Sequence, residues 1–95
     1  MKSMERSQVF DAVAEGSRRE ILDLLAGGPR RVGEIAAETG LSQPNASRHL
    51  RILREAGLVE PRAEGQRRIY ELRPAGLAEL IGWVAPYQRL WQGGR

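Results

Sequence analysis

Ala36 and Gly40, two small residues four apart, stand immediately before a segment whose apolar residues keep strict helical spacing. That junction limits the possible folds more than any other feature of the chain. The segment after it, "SQPNASRHLRILREAG" from Ser42 to Gly57, opens on a good N-cap, Ser42, and carries Pro44 in its first turn, where a missing N–H does no harm. Ala46, Leu50 and Leu53 recur on one face, and Gly57 closes the helix. The segment before it, starting at Val32 or Gly33 and ending at Thr39, predicts a short helix with Ile35 and Ala36 inward. Ala36 lets two helices approach closely, and Gly40 takes a left-handed cap without a Cβ penalty. Thr39 departs slightly from the pattern, because an aliphatic would fit its position better.

The flanking chain adds helices before the junction and a change of period after it. A first helix is predicted over about Ser3 to Glu15, with Val9, Phe10 and Val13 as its stripe, and Gly16 breaks it. Ser17 and Glu20 have capping-box spacing for a second helix running to about Ala26, with Ile21, Leu22, Leu24 and Leu25 inward; "GGPR" ends it. Beyond Gly57, Leu58–Arg62 and Arg67–Leu72 have the character of two short strands around "AEGQ", with Gly65 supplying the turn. Pro74 opens a last helix, which Pro86 should kink. It is apolar on more than one side, through Leu77, Leu80, Ile81 and Val84 and through Trp83, Tyr87, Leu90 and Trp91. A helix of that kind needs two neighbours, and in so small a chain the second is expected to be another subunit. There is no repeat, low-complexity tract or long linker, so residues 1–95 are expected to form a single domain. The order helix-helix-helix-helix-hairpin-helix gives a mainly α fold with a small β-hairpin, a winged helix-turn-helix.

Composition narrows the chemistry. Ninety-five residues without a Cys exclude disulfides and thiolate metal sites. There is no long apolar run, so no membrane partner is expected, and the polar start "MKSMERSQVF" is wrong for a secretory signal; a cytoplasmic location is the expectation. The net charge of +3 leans only mildly toward polyanions. Its distribution is more informative. Residues 1–26 carry four basic and five acidic side chains, whereas residues 42–56 carry Arg48, Arg51 and Arg54 against Glu55 alone. Residues 57–73 hold four arginines against three glutamates.

At about 100° per residue, Pro44, Arg48, Arg51 and Glu55 point away from the apolar face of the 42–56 helix. Gln43, Ser47 and Arg54 flank one side, and Asn45, His49 and Ile52 the other. The outward N-terminal half is short, polar and able both to donate and to accept hydrogen bonds. Such side chains reach base edges when a helix lies in a major groove: Gln and Asn to adenine, Arg to guanine, Ser to either. The arginines further along the helix and in the hairpin would pair with phosphates and make binding salt-dependent.

With these residues in place, the stretch from "VFDAVAEGSRREILDLL" through "LSQPNASRHLRILREAGLV" to "EGQRRIYELRP" resembles the ArsR/SmtB family of bacterial winged-helix repressors, over Val9 to about Pro74. The resemblance implies a homodimer paired through its first and last helices and bound to a double-stranded DNA operator. It implies base-reading positions at Gln43, Ser47 and Arg48 and a backbone contact at Arg51; Ser42 and Arg54 are expected to hold the backbone beside it. It places Arg62, Gln66, Arg67 and Arg68 in the wing. The dimer contacts it implies fall on Val9, Phe10 and Val13 and on Leu77, Ile81, Val84, Tyr87 and Trp91. Metal sensors of the family carry a thiolate box in the third helix, where this chain has "VGEIAAE", or Asp and His ligands in the last helix, which has neither. Asn45 occupies a place the family usually fills with a small apolar residue.

No cofactor and no metal site is therefore expected. His49, the single histidine, lies at the edge of the inward arc and is expected to pack rather than ligate. Nothing resembles a nucleophile with its base, a phosphate-binding glycine loop or a paired-carboxylate cleft, so no enzyme is expected. Two other functions fit the same pattern. One is a ligand- or metal-responsive sensor of the same family, its effector unknown; the other is a winged-helix module for protein–protein contact without a DNA role.

Overall fold

The computed structural model describes residues 7–93. Along the chain come α1 (Gln8–Val13), α2 (Gly16–Ala26), β1 (Arg30–Arg31), α3 (Val32–Thr39), α4 (Gln43–Glu55), β2 (Val59–Glu64), β3 (Arg67–Leu72), a 3-10 turn (Pro74–Leu77) and α5 (Ala78–Gly93). This is the winged helix-turn-helix order that the sequence pattern predicts, with one addition. β1 pairs antiparallel with β3, Arg30 opposite Tyr70 and Arg31 opposite Ile69, so the sheet order is β1-β3-β2. Two consecutive arginines carry no alternation of their own; the free edge of β3 makes them a strand. The hairpin is also longer than predicted, because Ala63 and Glu64 pair with Arg68 and Arg67 and leave only Gly65 and Gln66 to turn, Gly65 at φ +64°.

The helix ends show which side chains set the boundaries. The Ser7 hydroxyl accepts the Phe10 N–H at 3.4 Å to start α1; the predicted start at Ser3 lies outside the described residues. α1 stops at Val13, short of the predicted Glu15, because Glu15 turns extended and its carboxylate accepts the Arg18 N–H at 3.2 Å. That cap replaces the predicted Ser17–Glu20 box, and Gly16 becomes the first residue of α2 rather than the break. A carboxylate at this position satisfies an orphan N–H and faces the positive end of the helix dipole. Gly40 adopts φ +76° after α3, and Ser42 accepts the Asn45 N–H at 3.2 Å to start α4. α4 closes with Leu58 N–H donating to Leu53 O and Gly57 N–H to Arg54 O, both 2.9 Å, with Gly57 left-handed at φ +80°. This is the Schellman arrangement.

The core gathers Ala12, Ile21, Ile35, Ala46, Leu50, Leu53 and Leu58, all without solvent exposure. Burying each of its large aliphatics contributes about 1.5–3 kcal/mol. Ala12, outside the predicted stripe of α1, is fully buried, while Phe10 and Val13 are half-buried. On α2, Ile21 and Leu25 are buried and Leu22 and Leu24 only partly so. α5 runs on through Pro86 and meets the rest at few points. Ser7 Oγ donates to Glu79 Oε1 at 3.0 Å, and Phe10 packs edge-to-face on Trp83 with centroids 5.6 Å apart. Ile81, Trp83, Tyr87, Leu90 and Trp91 are 56–77% exposed. Among the described residues no helix is long and apolar enough to cross a membrane.

The turn leading into α5 passes so close to the end of α4 that a Cβ on Gly76 would land on the Gly57 carbonyl, whereas one on Gly82 would meet nothing within 4 Å. Gly76→Ala should therefore cost about 1–3 kcal/mol through overpacking. Gly82→Ala, in mid-helix, should be neutral or stabilising by up to about 1 kcal/mol. Thermal melts followed by circular dichroism check the contrast; equal midpoints for the two variants would contradict the close approach.

Candidate nucleic-acid interface

α4 is held by its inward face and leaves the opposite face to solvent. Ala46, His49, Leu50 and Leu53 are buried, while Gln43, Asn45, Ser47, Arg48, Arg51 and Arg54 are exposed. From Gln43 to Arg54 the exposed face extends roughly 16 Å at 1.5 Å per residue. Its far end meets the hairpin: Arg54, Arg62, Gln66, Arg67 and Arg68 together line an open groove of about 410 Å³. The predicted base-facing residues thus lie toward the N-terminal end of the helix, beside Ser42, and Arg54 meets the wing residues at the other end.

The arginines divide sharply by their partners. Arg18, Arg19 and Arg30 donate to backbone carbonyls. Arg62 pairs with Glu71 at 3.3 Å and Arg73 with Glu60 at 3.0 Å, cross-strand pairs at the base of the hairpin. Arg48, Arg51, Arg54, Arg67 and Arg68 make no hydrogen bond or ion pair with any described residue, although all are exposed and glutamates are near in sequence. The side chains of Gln43, Asn45 and Ser47 are likewise unpartnered within the described residues. Ser42 is different, since one lone pair of its oxygen already accepts the Asn45 N–H, leaving its hydroxyl hydrogen and one lone pair. Asn45, odd beside the family pattern, lies exposed with the outward polar set.

Two contributors carry no periodic signal in the sequence. Arg18 Nε donates to Ala12 O at 2.7 Å and Nη2 to Asp11 O at 3.2 Å, closing the C-terminal end of α1. Its Nη1 lies 3.2 Å from His49 Nδ1, so the same guanidinium ties α1 to the inner face of α4. Because Arg only donates, Nδ1 must accept, which fixes His49 as the neutral tautomer protonated on Nε2. Burial lowers the His49 pKa below 6.5; Glu15 opposes this, and Arg48 and Arg18 add to it. The second contributor is Asn45, which the helical wheel places on a flank with His49 and Ile52 but which is exposed. Among the described residues no group of three or more His, Cys, Asp or Glu could hold a metal ion.

The pattern described as "Bacterial regulatory protein, arsR family" matches residues 15–61, from the cap of α2 through the helix pair and into β2. The chain is 47% identical over 73 residues to the HTH-type transcriptional regulator Rv2034 of Mycobacterium tuberculosis, covering 77% of this chain and 68% of that protein. It is 38% identical over 78 residues to the transcriptional repressor SdpR of Bacillus subtilis, covering 82% and 87%. The chain belongs to the ArsR family. A solution structure from Mycobacterium bovis, the homodimeric winged helix-turn-helix DNA-binding domain Mb0332, superposes with a TM-score of 0.72 at 39% identity, covering 93% of this chain and 82% of that one. As an ArsR-family member the chain is a DNA-binding transcriptional regulator and not an enzyme.

The His49 environment sets a pH dependence. A histidine whose pKa is depressed on folding contributes stability that is present above its unfolded value, near 6.5, and lost as pH falls through the folded value. Unfolding free energy measured in urea should therefore decline below about pH 6.5, and His49→Gln should flatten that decline. Identical pH profiles for the two proteins would contradict the role of the neutral imidazole.

Proposed function

We propose that this ArsR-family chain, acting as one winged helix-turn-helix domain over residues 1–95, is a homodimeric repressor that occupies a palindromic operator. The recognition helix 42–56 would enter the major groove and the wing 59–72 would flank it. The observation that carries this reading is the division of the arginines: those on the outward face of α4 and at the hairpin tip are exposed and unpartnered among the described residues, while most of those elsewhere are tied down. Unpaired cations held on a rigid helix are what a phosphate-lined groove requires. Gln43, Ser47 and Arg48 would read base edges, with Asn45 beside them. Ser42, Arg51 and Arg54 would hold the backbone. Arg67, Arg68 and Gln66 would make the wing contacts, and Arg62 would join them only by sharing or leaving Glu71.

The dimer half of the proposal rests on α5. Its exposed Ile81, Tyr87 and Trp91, next to half-buried Val84, Phe10 and Val13, form an apolar face that the chain itself does not cover. Leu77 is partly packed on the core, and Val9 is buried in the chain's own core, so both would contribute less. The homodimeric state of the Mycobacterium bovis relative and the repressor role of SdpR support the same reading. Two recognition helices related by a twofold axis would then fall in successive major grooves, with half-site centres roughly 34–36 Å apart or a multiple of that.

Gln43→Ala or Arg48→Ala should cost about 1–3 kcal/mol on a selected duplex and relax base preference, while Arg67→Ala should weaken all duplexes alike. Fluorescence anisotropy on selected and scrambled duplexes checks this; unchanged selectivity in both α4 variants would overturn the assignment of base readers. Light scattering at tens of micromolar should give a dimer mass, and Tyr87→Glu with Trp91→Glu should return a monomer. A wild-type monomer would remove the palindrome.

A further inference from the structure

Arg31 holds its place through its backbone alone and leaves its side chain free. The N–H donates to Glu34 Oε1 at 2.8 Å, and the residue pairs with Ile69 on β3. Its side chain is exposed and has no hydrogen bond or ion pair among the described residues, unlike that of Arg30, which folds back onto Gly28 O at 2.8 Å. The strand pairing determines where that free guanidinium stands. Arg31 lies opposite Ile69, and Arg67 is two residues along β3 on the same face, so the two are diagonal cross-strand neighbours. Arg31, Arg67 and Arg68 together line an open concavity of about 520 Å³, floored by Val32 and Ala37. Glu34 is the single carboxylate on its rim, and one of its oxygens already accepts the Arg31 N–H. Arg31 and Arg67 thus stand on one face of the sheet beside an open hollow between the start of α3 and the hairpin, and Arg68, next along β3, borders the same hollow.

We propose that Arg31, Arg67 and Arg68 form a clamp for a phosphodiester of the duplex held by α4, with Arg31 as a third anchoring element besides the recognition helix and the wing. The hollow is open, which suits a phosphate presented on a polymer rather than a small ion enclosed on all sides. Its apolar floor supports the arginine stems and leaves the guanidinium ends free to point outward. The contact would position the protein without reading sequence, because a phosphate carries no base identity.

This inference rests on the DNA-binding reading above, and its test separates the two. A duplex selected by the wild-type protein from a random pool, and a scrambled duplex of equal length, are titrated across a salt series with wild type, Arg31→Ala, Arg31→Lys and Arg48→Ala. Arg31→Ala should lower the magnitude of the salt slope by about 0.9, the value for one lost phosphate contact. It should weaken both duplexes by the same factor, and Arg31→Lys should restore the slope. A single neutral methylphosphonate, moved along the duplex, should weaken wild type at one position where it leaves Arg31→Ala unaffected. Millimolar inorganic phosphate should neither bind saturably nor compete at constant ionic strength; if it does both, the hollow is a free-phosphate site and the duplex clamp is wrong. An unchanged slope in Arg31→Ala with a wild-type thermal midpoint would overturn the clamp. Loss confined to the selected duplex, or no recovery with Lys, would overturn it equally. If wild type binds no duplex at all, the DNA-binding reading falls and the clamp with it. If Arg48→Ala loses selectivity while Arg31→Ala matches wild type, only the clamp falls.

Discussion

The close packing of α4 onto α3 through small side chains fixes everything the outer surface can do. Ala46 has no exposure and Ala36 almost none, and Gly40 makes the bend between them at φ +76°, where a β-carbon would be strained. Leu50 and Leu53 continue the same buried row, and the left-handed Gly57 ends it. With that row inward, helical geometry leaves no choice about which residues face out: Gln43, Ser47, Arg48 and Arg51 are presented because their neighbours are held. Arg18 reinforces the arrangement from behind, binding the end of α1 and the inner edge of α4 with one guanidinium.

The second consequence concerns charge. A chain with fifteen basic and twelve acidic residues could neutralise most of its cations locally. Instead, among the described residues, Arg62 and Arg73 pair with Glu71 and Glu60 across the hairpin, while Arg18 and Arg19 donate to backbone carbonyls at helix ends. The outward arginines of α4 and the hairpin tip have no internal partner among the described residues, so an approaching polyanion would not first have to break an ion pair there. Surface pairs such as Arg62–Glu71 contribute about 0–1 kcal/mol, so freeing Arg62 would cost little.

Much of this was legible in the sequence because the signals were local. The spacing of Ala46, Leu50 and Leu53, the caps at Ser42 and Gly40, and the switch of period after Gly57 each depend on residues within one turn or one strand. The failures were non-local or competitive. β1 exists only because β3 offers an edge, and no property of Arg30–Arg31 announces it. Two side chains could cap α2, and Glu15 caps it rather than Ser17 because α1 ends at Val13. Arg18 could not be singled out, since its partners Ala12, Asp11 and His49 lie at separations of 6, 7 and 31 residues. His49 packs inward as its wheel position predicts, but its partner and its tautomer depend on the fold. Of the candidate site, the outward set followed from the helical wheel, whereas the convergence of Arg54 with the hairpin, and of Arg31 with Arg67 and Arg68, depends on how the sheet returns against the helices.

An amide chemical-shift titration of the isotope-labelled chain with a selected duplex asks which surface the polyanion touches. The structure predicts the largest changes across Gln43–Arg54 and Arg62–Arg68, fading as salt rises, with Ile81–Trp91 left nearly unmoved. Shifts concentrated on Ile81–Trp91 with the outward face of α4 silent would contradict the assignment of α4 and the hairpin as the DNA surface.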